Sequence, residues 1–376
     1  MTPLKILHIC GDYPNQILYN KLFNENKLSG FGQLCYVPIK NAESVGKFLI
    51  DEIPFFYSFI LRKYHRFLYF TKIRQLKNHL LCNINHKEIK ITHAHTLFSD
   101  GGIAYELYRK YEIPYVVAVR NVDINYYFKY ALHTRWYGFK ILENAKSIIF
   151  INSTYKKRLI EIVPEYLKQI VNNKAVVIPN GIDNFWHDNR LEGAKKRGNN
   201  GFNLIYVGDF TKNKNVISTI NVVNKINSKN TDTCFLTIVG GGGENEKEIK
   251  NIILKTSNIS YLGRITNLDE LKRAFRTCDL FVMPSFHETF GLVYIEALSQ
   301  GLPIIYSKNE GVDGFFEDGY IGRAIYPTNI DSIQSGIEWA YENYSFISEN
   351  VFLTDLEQFD WAFIGKRYSH IYDSNN

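Results

Sequence analysis

The chain has no uninterrupted apolar stretch of about 18 residues, so it offers no helix able to span a bilayer. Its five cysteines, Cys10, Cys35, Cys82, Cys234 and Cys278, are odd in number and no two lie close together. That spacing excludes a disulfide framework and a clustered zinc site. Most sit in apolar runs such as LKILHIC and read as buried thiols of a reducing compartment. The N-terminal MTPLKILHICGDYP carries one Lys and an apolar run too short for the core of a secretion signal. No G-x-G-x-x-G follows a first strand, which argues against a nicotinamide-dependent oxidoreductase.

What remains is an ordinary globular composition, 45% hydrophobic and 22% charged, with 26 Tyr and 26 Phe to fill aromatic-rich cores. At 376 residues the chain suits two domains of about 150–200 residues each. The net charge of +6 hides an asymmetry. Residues 1–180 hold 25 Lys+Arg against 13 Asp+Glu, and residues 181–376 hold 19 against 25. A basic half suggests an anionic partner. Much of its excess lies from Ile53 to Lys87, with seven Lys/Arg and no acid.

The first half alternates strand and helix patterns: strands at Leu4–Cys10, Ile91–His95, Tyr115–Val119, Ile148–Ile151 and Ala175–Ile178, with helical spacing over Gly101–Tyr111. A polar, Gly/Asn-rich stretch at 184–203 follows and reads as a linker. The pattern then restarts with Leu204–Val207, Phe235–Val239, Ile259–Leu262, Leu280–Met283 and Pro303–Tyr306. These are βαβ units, and the fold class is α/β: two Rossmann-like doubly wound domains facing across a cleft, with ligands outside the carboxyl ends of the strands. The expected domains are 1–185, 186–202 as linker and 203–354, with a C-terminal helix of about 355–376 packing back on the first.

The chemistry concentrates in FVMPSFHETFGLVYIEALSQGLPIIY, Phe281–Tyr306. A strand ends at Pro284-Ser285, a loop carries Glu288, and Phe290-Gly291-Leu292 opens a helix that holds Glu296. Backbone N–H groups at a helix start beside a glycine form an anion site suited to a diphosphate. Glu296 is too deep for a cap but placed to accept hydrogen bonds from ribose hydroxyls. The plain alternative is an amphipathic helix with two solvated acids.

The frame Pro-Ser…Glu-x-Phe-Gly-Leu…Glu-Ala-Leu…Gly-x-Pro resembles the signature of family 4 glycosyltransferases, retaining enzymes of the GT-B fold that use nucleotide sugars. The resemblance covers nearly the whole chain, strongest at 204–306 and weakest at 12–90. It implies that Glu288 meets the transferred sugar and Glu296 the ribose. LIYVGDFTKNKNV, Leu204–Val216, resembles the strand, Gly-Arg and Lys that clamp the diphosphate. Gly208 and Lys214 fall in place, Asp209 stands where the family has Arg, and Lys212 is near enough to supply the missing charge. Gly241, within the run Gly240–Gly243, matches a loop lining the nucleotide, and Arg264 falls where the base is usually met. In the first half, Arg120 and Asn121 replace the family's His-Gly while Asp123 is retained, so Arg120 and Asp123 are candidates at the sugar, or parts of a structural turn. Only Gly11 remains of the Gly-Gly expected after the first strand. Asn180-Gly181-Ile182-Asp183 resembles the turn that closes the first lobe.

His93 and His95 read as rings that share one side only if their strand bends, and no third metal ligand is evident. No Asp-x-Asp occurs, so neither a metal nor another cofactor is implied. Ile53–Leu81 reads as one or two helices with Phe/Leu and Lys/Arg faces: an interfacial membrane segment, or a core helix with a basic solvent face. The resulting expectation is a retaining transferase moving sugar, from a UDP-sugar as the first choice of donor, to a saccharide or lipid-linked saccharide of a surface or capsular glycan. It would work in the cytoplasm, peripheral at the inner face of an anionic membrane, without nucleic acid. A sugar-nucleotide epimerase and a non-catalytic sugar-nucleotide-binding subunit are the alternatives.

Overall fold

The computed structural model describes residues 5–13, 17–40, 45–46, 49–198, 201–229 and 234–373. Residues 199–200 of the expected linker and 374–376 of the expected terminal helix lie outside the described residues. The chain divides into two compact units. The first runs to Gly181 and resumes at Trp361; the second is Ile182–Asp360.

Among the described residues, the first unit holds a seven-stranded parallel sheet of β1 (Lys5–Ile9), β2 (Gln33–Pro38), β3 (Phe55–Ser58), β4 (Ile89–Ala94), β5 (Tyr115–Val119), β6 (Ser147–Phe150) and β7 (Ala175–Val177). Their order is β3-β2-β1-β4-β5-β6-β7. All five residues of β5, YVVAV, are buried, as expected of a central strand covered on both faces. Each such Val contributes about 1.5–3 kcal/mol of burial relative to exposure. The helix Trp361–Asp373 packs here, with Ile364, Tyr368 and Ile371 in the same core as Ile6, Phe23 and Ile91. Trp361 lies against Gly181, where a Cβ would come within 2.8 Å of the indole.

Two strands of this sheet run against the sequence reading. β2 was not anticipated, and Phe55–Ser58 is a strand rather than helix, paired in parallel with Cys35–Pro38. Four residues rich in aromatics satisfy a sheet edge as well as a helix face, and only the partner strand decides. The helix begins at Tyr69 and ends at Asn83.

Among the described residues, the second unit holds a six-stranded parallel sheet of β8 (Phe202–Gly208), β9 (Cys234–Gly240), β10 (Ile259–Gly263), β11 (Leu280–Val282), β12 (Ile304–Ser307) and β13 (Gly322–Ile325), in the order β10-β9-β8-β11-β12-β13. β13 is a further strand that the apolar pattern did not reveal, since GRAI carries an exposed Arg323. The helices Leu268–Thr277 and Ile330–Glu342 start on side-chain caps: Asn267 accepts from Glu270 N–H at 3.0 Å, and Asn329 accepts from Asp331 and Ser332. The stretch after Gly181 is partly ordered onto this unit. Asp183 caps a short helix, Asn184–Asp188, and Leu191 N–H donates to Ser299 O at 2.9 Å. All five cysteines are free; four are buried, but Cys82 is exposed on its helix, against the buried reading.

Candidate functional site

In the second sheet β8 is followed by β9 on one side, while β11 pairs on the other. The crossovers from β8 and β11 therefore leave in opposite directions, and their loops flank a gap at the carboxyl ends, where doubly wound sheets take ligands. The loop after β8 carries Lys214 and the loop after β11 carries Glu288. They meet there: Lys214 Nζ lies 2.5 Å from Glu288 Oε2, with side chains 25% and 11% exposed.

Both loops are firmly held. Asn215 adopts a left-handed φ of 56° and spends its amide on Pro284 O and Pro327 O, both at 3.0 Å. Asn213 brackets His287, accepting from its N–H at 3.0 Å and donating to its carbonyl at 2.8 Å. From the other side the buried Glu310 accepts from Glu288 N–H at 2.9 Å through Oε2 and faces His287 Nδ1 at 3.4 Å through Oε1. Asn213, Asn215 and Glu310 escaped the sequence reading because isolated polar residues carry no spacing signal.

Gly291 has a φ of 78° and opens the eight-residue helix Leu292–Ser299. A Cβ on Gly291 would come within 2.6 Å of Tyr294 and 3.0 Å of Glu288 Cγ. Phe290 is buried against Phe315 and Phe359, so its side chain fixes the helix start. Glu296 is part-buried in this helix, and its carboxyl is raised to about 7, by burial first and by the nearby Asp183 second.

The glycine run is a tight turn. Gly240, at φ 139°, lies so close to Gly208 O that a Cβ would sit 1.9 Å from it, which accounts for the glycine at the end of β9. Gly242 O accepts from Phe210 N–H at 3.1 Å. Arg264 bridges this loop to Asp209: one guanidinium nitrogen donates to Gly241 O and to Asp209 Oδ1, each at 2.7 Å. Asp209, in place of the family's Arg, thus holds an arginine from a different strand end. Lys212 has an exposed side chain and donates its backbone N–H to Glu244 at 2.9 Å.

In the first unit β1 and β4 flank the corresponding switch point. Gly11 N–H donates to Asp100 Oδ1 at 3.3 Å. Asp100 is buried and raised to about 7 by desolvation, opposed by the Thr96 hydroxyl and by Lys72. Asp123 is fully buried and accepts from Leu97, Phe98 and Arg120 N–H at 3.0, 3.1 and 2.9 Å. Burial raises its carboxyl to about 6 against these bonds. Its oxygens fasten the loop after β4. Arg120 is part-buried and donates from Nε to His95 O at 3.3 Å.

His93, in β4, and His95, just beyond its end where the chain bends, stack with ring centroids 3.9 Å apart. A third imidazole joins them: His8 is in register with His93 on the neighbouring strand, and one nitrogen from each ring falls within 4.8 Å of the others. His8 Nε2 faces Gln33 Oε1 at 3.0 Å, His8 Nδ1 faces His95 Nε2 at 3.1 Å, and His93 Nδ1 faces Tyr372 OH at 2.7 Å. Burial lowers all three, His8 to about 3, so the rings are neutral. Three imidazoles are a ligand set that suits zinc. The group contains no carboxylate, however, and Arg120 adds positive charge beside it, so a divalent ion would be left uncompensated. Both His8 nitrogens are engaged, while His93 Nε2 and His95 Nδ1 are buried without a hydrogen-bond partner among the described residues.

The basic segment divides. Lys72 turns inward to Ser99 Oγ at 2.9 Å, and Lys77 pairs with Glu106 at 3.2 Å, so neither is free for a surface partner. Phe55 and Phe56 are half-buried in β3. Phe59, Phe67, Leu68 and Phe70 are exposed, and Phe70 stacks on the exposed Trp136 with ring centroids 5.7 Å apart. Arg62, Lys63 and Arg74 are exposed in the same segment. Among the described residues no helix is long and apolar enough to cross a membrane.

The chain is similar to known glycosyltransferases in sequence and to solved structures in fold. An uncharacterized glycosyltransferase of Methanocaldococcus jannaschii is 29% identical over 265 residues, 68% of this chain and 66% of that protein. The alpha-monoglucosyldiacylglycerol synthase of Acholeplasma laidlawii is 28% identical over 283 residues, 68% of this chain and 65% of the synthase. The chain thus matches just under two thirds of the length of these relatives. An Anabaena protein crystallised with UDP superposes with a TM-score of 0.69 at 15% identity, covering 99% of this chain and 100% of that one, which gives the fold, GT-B. Residues 189–351, which hold Lys214, Glu288 and Glu296 together, match the glycosyl transferases group 1 family.

Proposed function

We propose that the protein is a retaining glycosyltransferase that moves a sugar from a nucleotide sugar, a UDP-sugar first, to a saccharide acceptor carried on lipid. The observation that carries this is the contact of Lys214 with Glu288 at the switch point, beside the glycine-opened helix that bears Glu296. In this reading Lys214 exchanges Glu288 for the leaving diphosphate, assisted by the backbone amides at Phe290–Leu292. Charge that develops on the leaving group is met by donors already in place. The released Glu288 carboxylate turns to hydroxyls of the transferred sugar, and Glu296 binds the ribose. Departure and attack occur on one face of the sugar, so no protein nucleophile is required. Arg264, fixed by Asp209, borders the nucleotide base. Gly11 and Arg120 border the acceptor side of the first unit.

The UDP in the Anabaena structure and the glucosylated lipid in the name of the Acholeplasma relative support the choice of donor and acceptor class. Phe67, Leu68, Phe70 and Trp136, with Arg62, Lys63 and Arg74, support contact with an anionic membrane where such an acceptor resides. The test is a thermal-shift panel of UDP-glucose, UDP-galactose, UDP-N-acetylglucosamine and GDP-mannose, followed by transfer from the best binder to lipid-linked saccharides. Donor binding without transfer or donor hydrolysis would mark a binding subunit instead. Sugar inversion without acceptor would mark an epimerase.

A further inference from the structure

We infer that Glu310 is a positioning residue that seats Glu288 for sugar transfer; this rests on the role given to Glu288 above. Glu310 lies just beyond β12, 22 residues after Glu288, and is 7% exposed. Each carboxylate oxygen faces one of two consecutive residues of the loop after β11: Oε2 accepts Glu288 N–H at 2.9 Å, and Oε1 faces His287 Nδ1 at 3.4 Å. Gly311 completes the seat, its N–H donating to Glu288 O at 2.8 Å. With φ at 55°, a Cβ on Gly311 would come within 2.9 Å of Glu288 Cγ and 2.8 Å of Phe290 O. Both backbone polar groups of Glu288 are therefore held by Glu310 and Gly311, while its side chain is left to Lys214. A buried carboxylate that binds a backbone N–H fixes its position more firmly than a neutral acceptor would. These contacts of Glu310 are to the loop that carries Glu288, so its effect on the sugar runs through the position of Glu288.

Misplacing a reacting group by about 1 Å costs about 100-fold in rate. Glu310→Ala should lower kcat by roughly 10–100-fold while the donor KM and UDP affinity by calorimetry stay within about threefold. Glu310→Gln keeps an acceptor at the same reach and should recover most of the rate. Rates are read as nucleotide release from whichever of the four sugar nucleotides binds best. The deciding measurement is the double variant: if Glu310 acts through Glu288, Glu288→Gln/Glu310→Ala is no slower than Glu288→Gln alone. Losses that multiply in the double variant would overturn the inference, as would a UDP affinity that falls in step with kcat. Should Glu310→Ala fail to fold, Glu310→Asp, which keeps the charge but falls one methylene short, takes its place in the same cycle. If Glu288→Gln is itself fully active, the reading of Glu288 fails and takes this one with it. If Glu288→Gln is slow and Glu310→Ala is normal, only the role of Glu310 fails.

Discussion

Replacing Glu296 by Gln should weaken nucleotide binding and flatten its dependence on pH. Burial and Asp183 raise the Glu296 carboxyl from 4.5 to about 7 in the free protein. Ribose hydroxyls donate to the ionised form, so binding must expel the proton wherever it is present. The sign follows: wild-type affinity is greatest above about pH 7 and declines below it, by at most about tenfold per pH unit. At pH 8, loss of charge-assisted hydrogen bonds should cost roughly 1.5–3 kcal/mol, or roughly ten- to more than a hundredfold in Kd. At pH 6 the difference from wild type should shrink, because the native side chain is then largely neutral as well. Stability should move the other way. A carboxyl with a raised folded-state value is a burden that appears as pH climbs from the unfolded 4.5 through about 7. The Gln variant should therefore melt higher than wild type at pH 8 and show little difference at pH 5. Titration calorimetry with UDP at pH 6, 7 and 8, in two buffers of different ionisation enthalpy, measures both the affinity and the proton released. A wild-type Kd for the Gln variant at pH 8, or a wild-type affinity flat across this range with no proton release, would refute the ribose assignment.

Lys214→Ala should reduce transfer far more than Lys212→Ala, since Lys214 reaches Glu288 while the Lys212 side chain is exposed; steady-state rates decide, and equal losses would mean a shared clamp. Activity should persist in EDTA, because no Asp-x-Asp is available to hold a metal on the diphosphate; a rate abolished by chelation and restored by magnesium or manganese would contradict this. Binding to anionic liposomes should be strong at low salt and fall as salt screens the charge, each engaged Arg or Lys being worth about 1 kcal/mol. In co-sedimentation, Phe67→Ser/Trp136→Ser should lower the residual high-salt binding, and a protein that ignores anionic vesicles at low salt would make a soluble acceptor the better reading.

Much of this protein could be read from its sequence because its central strands are short apolar runs between turn residues. Tyr115–Val119 and Leu280–Met283 must be buried whatever surrounds them. The Pro-Ser…Glu…Phe-Gly…Glu frame was legible for a related reason: a strand end, a loop and a helix start lie consecutively in the chain, so their spacing survives as a local pattern. The edge strands at Phe55–Ser58 and Gly322–Ile325 were not, since they owe their conformation to one neighbouring strand and not to an internal period. The histidine cluster was missed for the same cause, because His8 reaches His93 only through the pairing of β1 with β4. Which lysine meets Glu288, which arginine Asp209 holds, and that Lys72 and Lys77 turn away from the surface are facts of three dimensions. Partners 74, 55, 27 and 29 residues apart leave no local trace. Sequence determined the central strands and the chemistry available at their ends; the order of strands in each sheet decided which of those groups would meet.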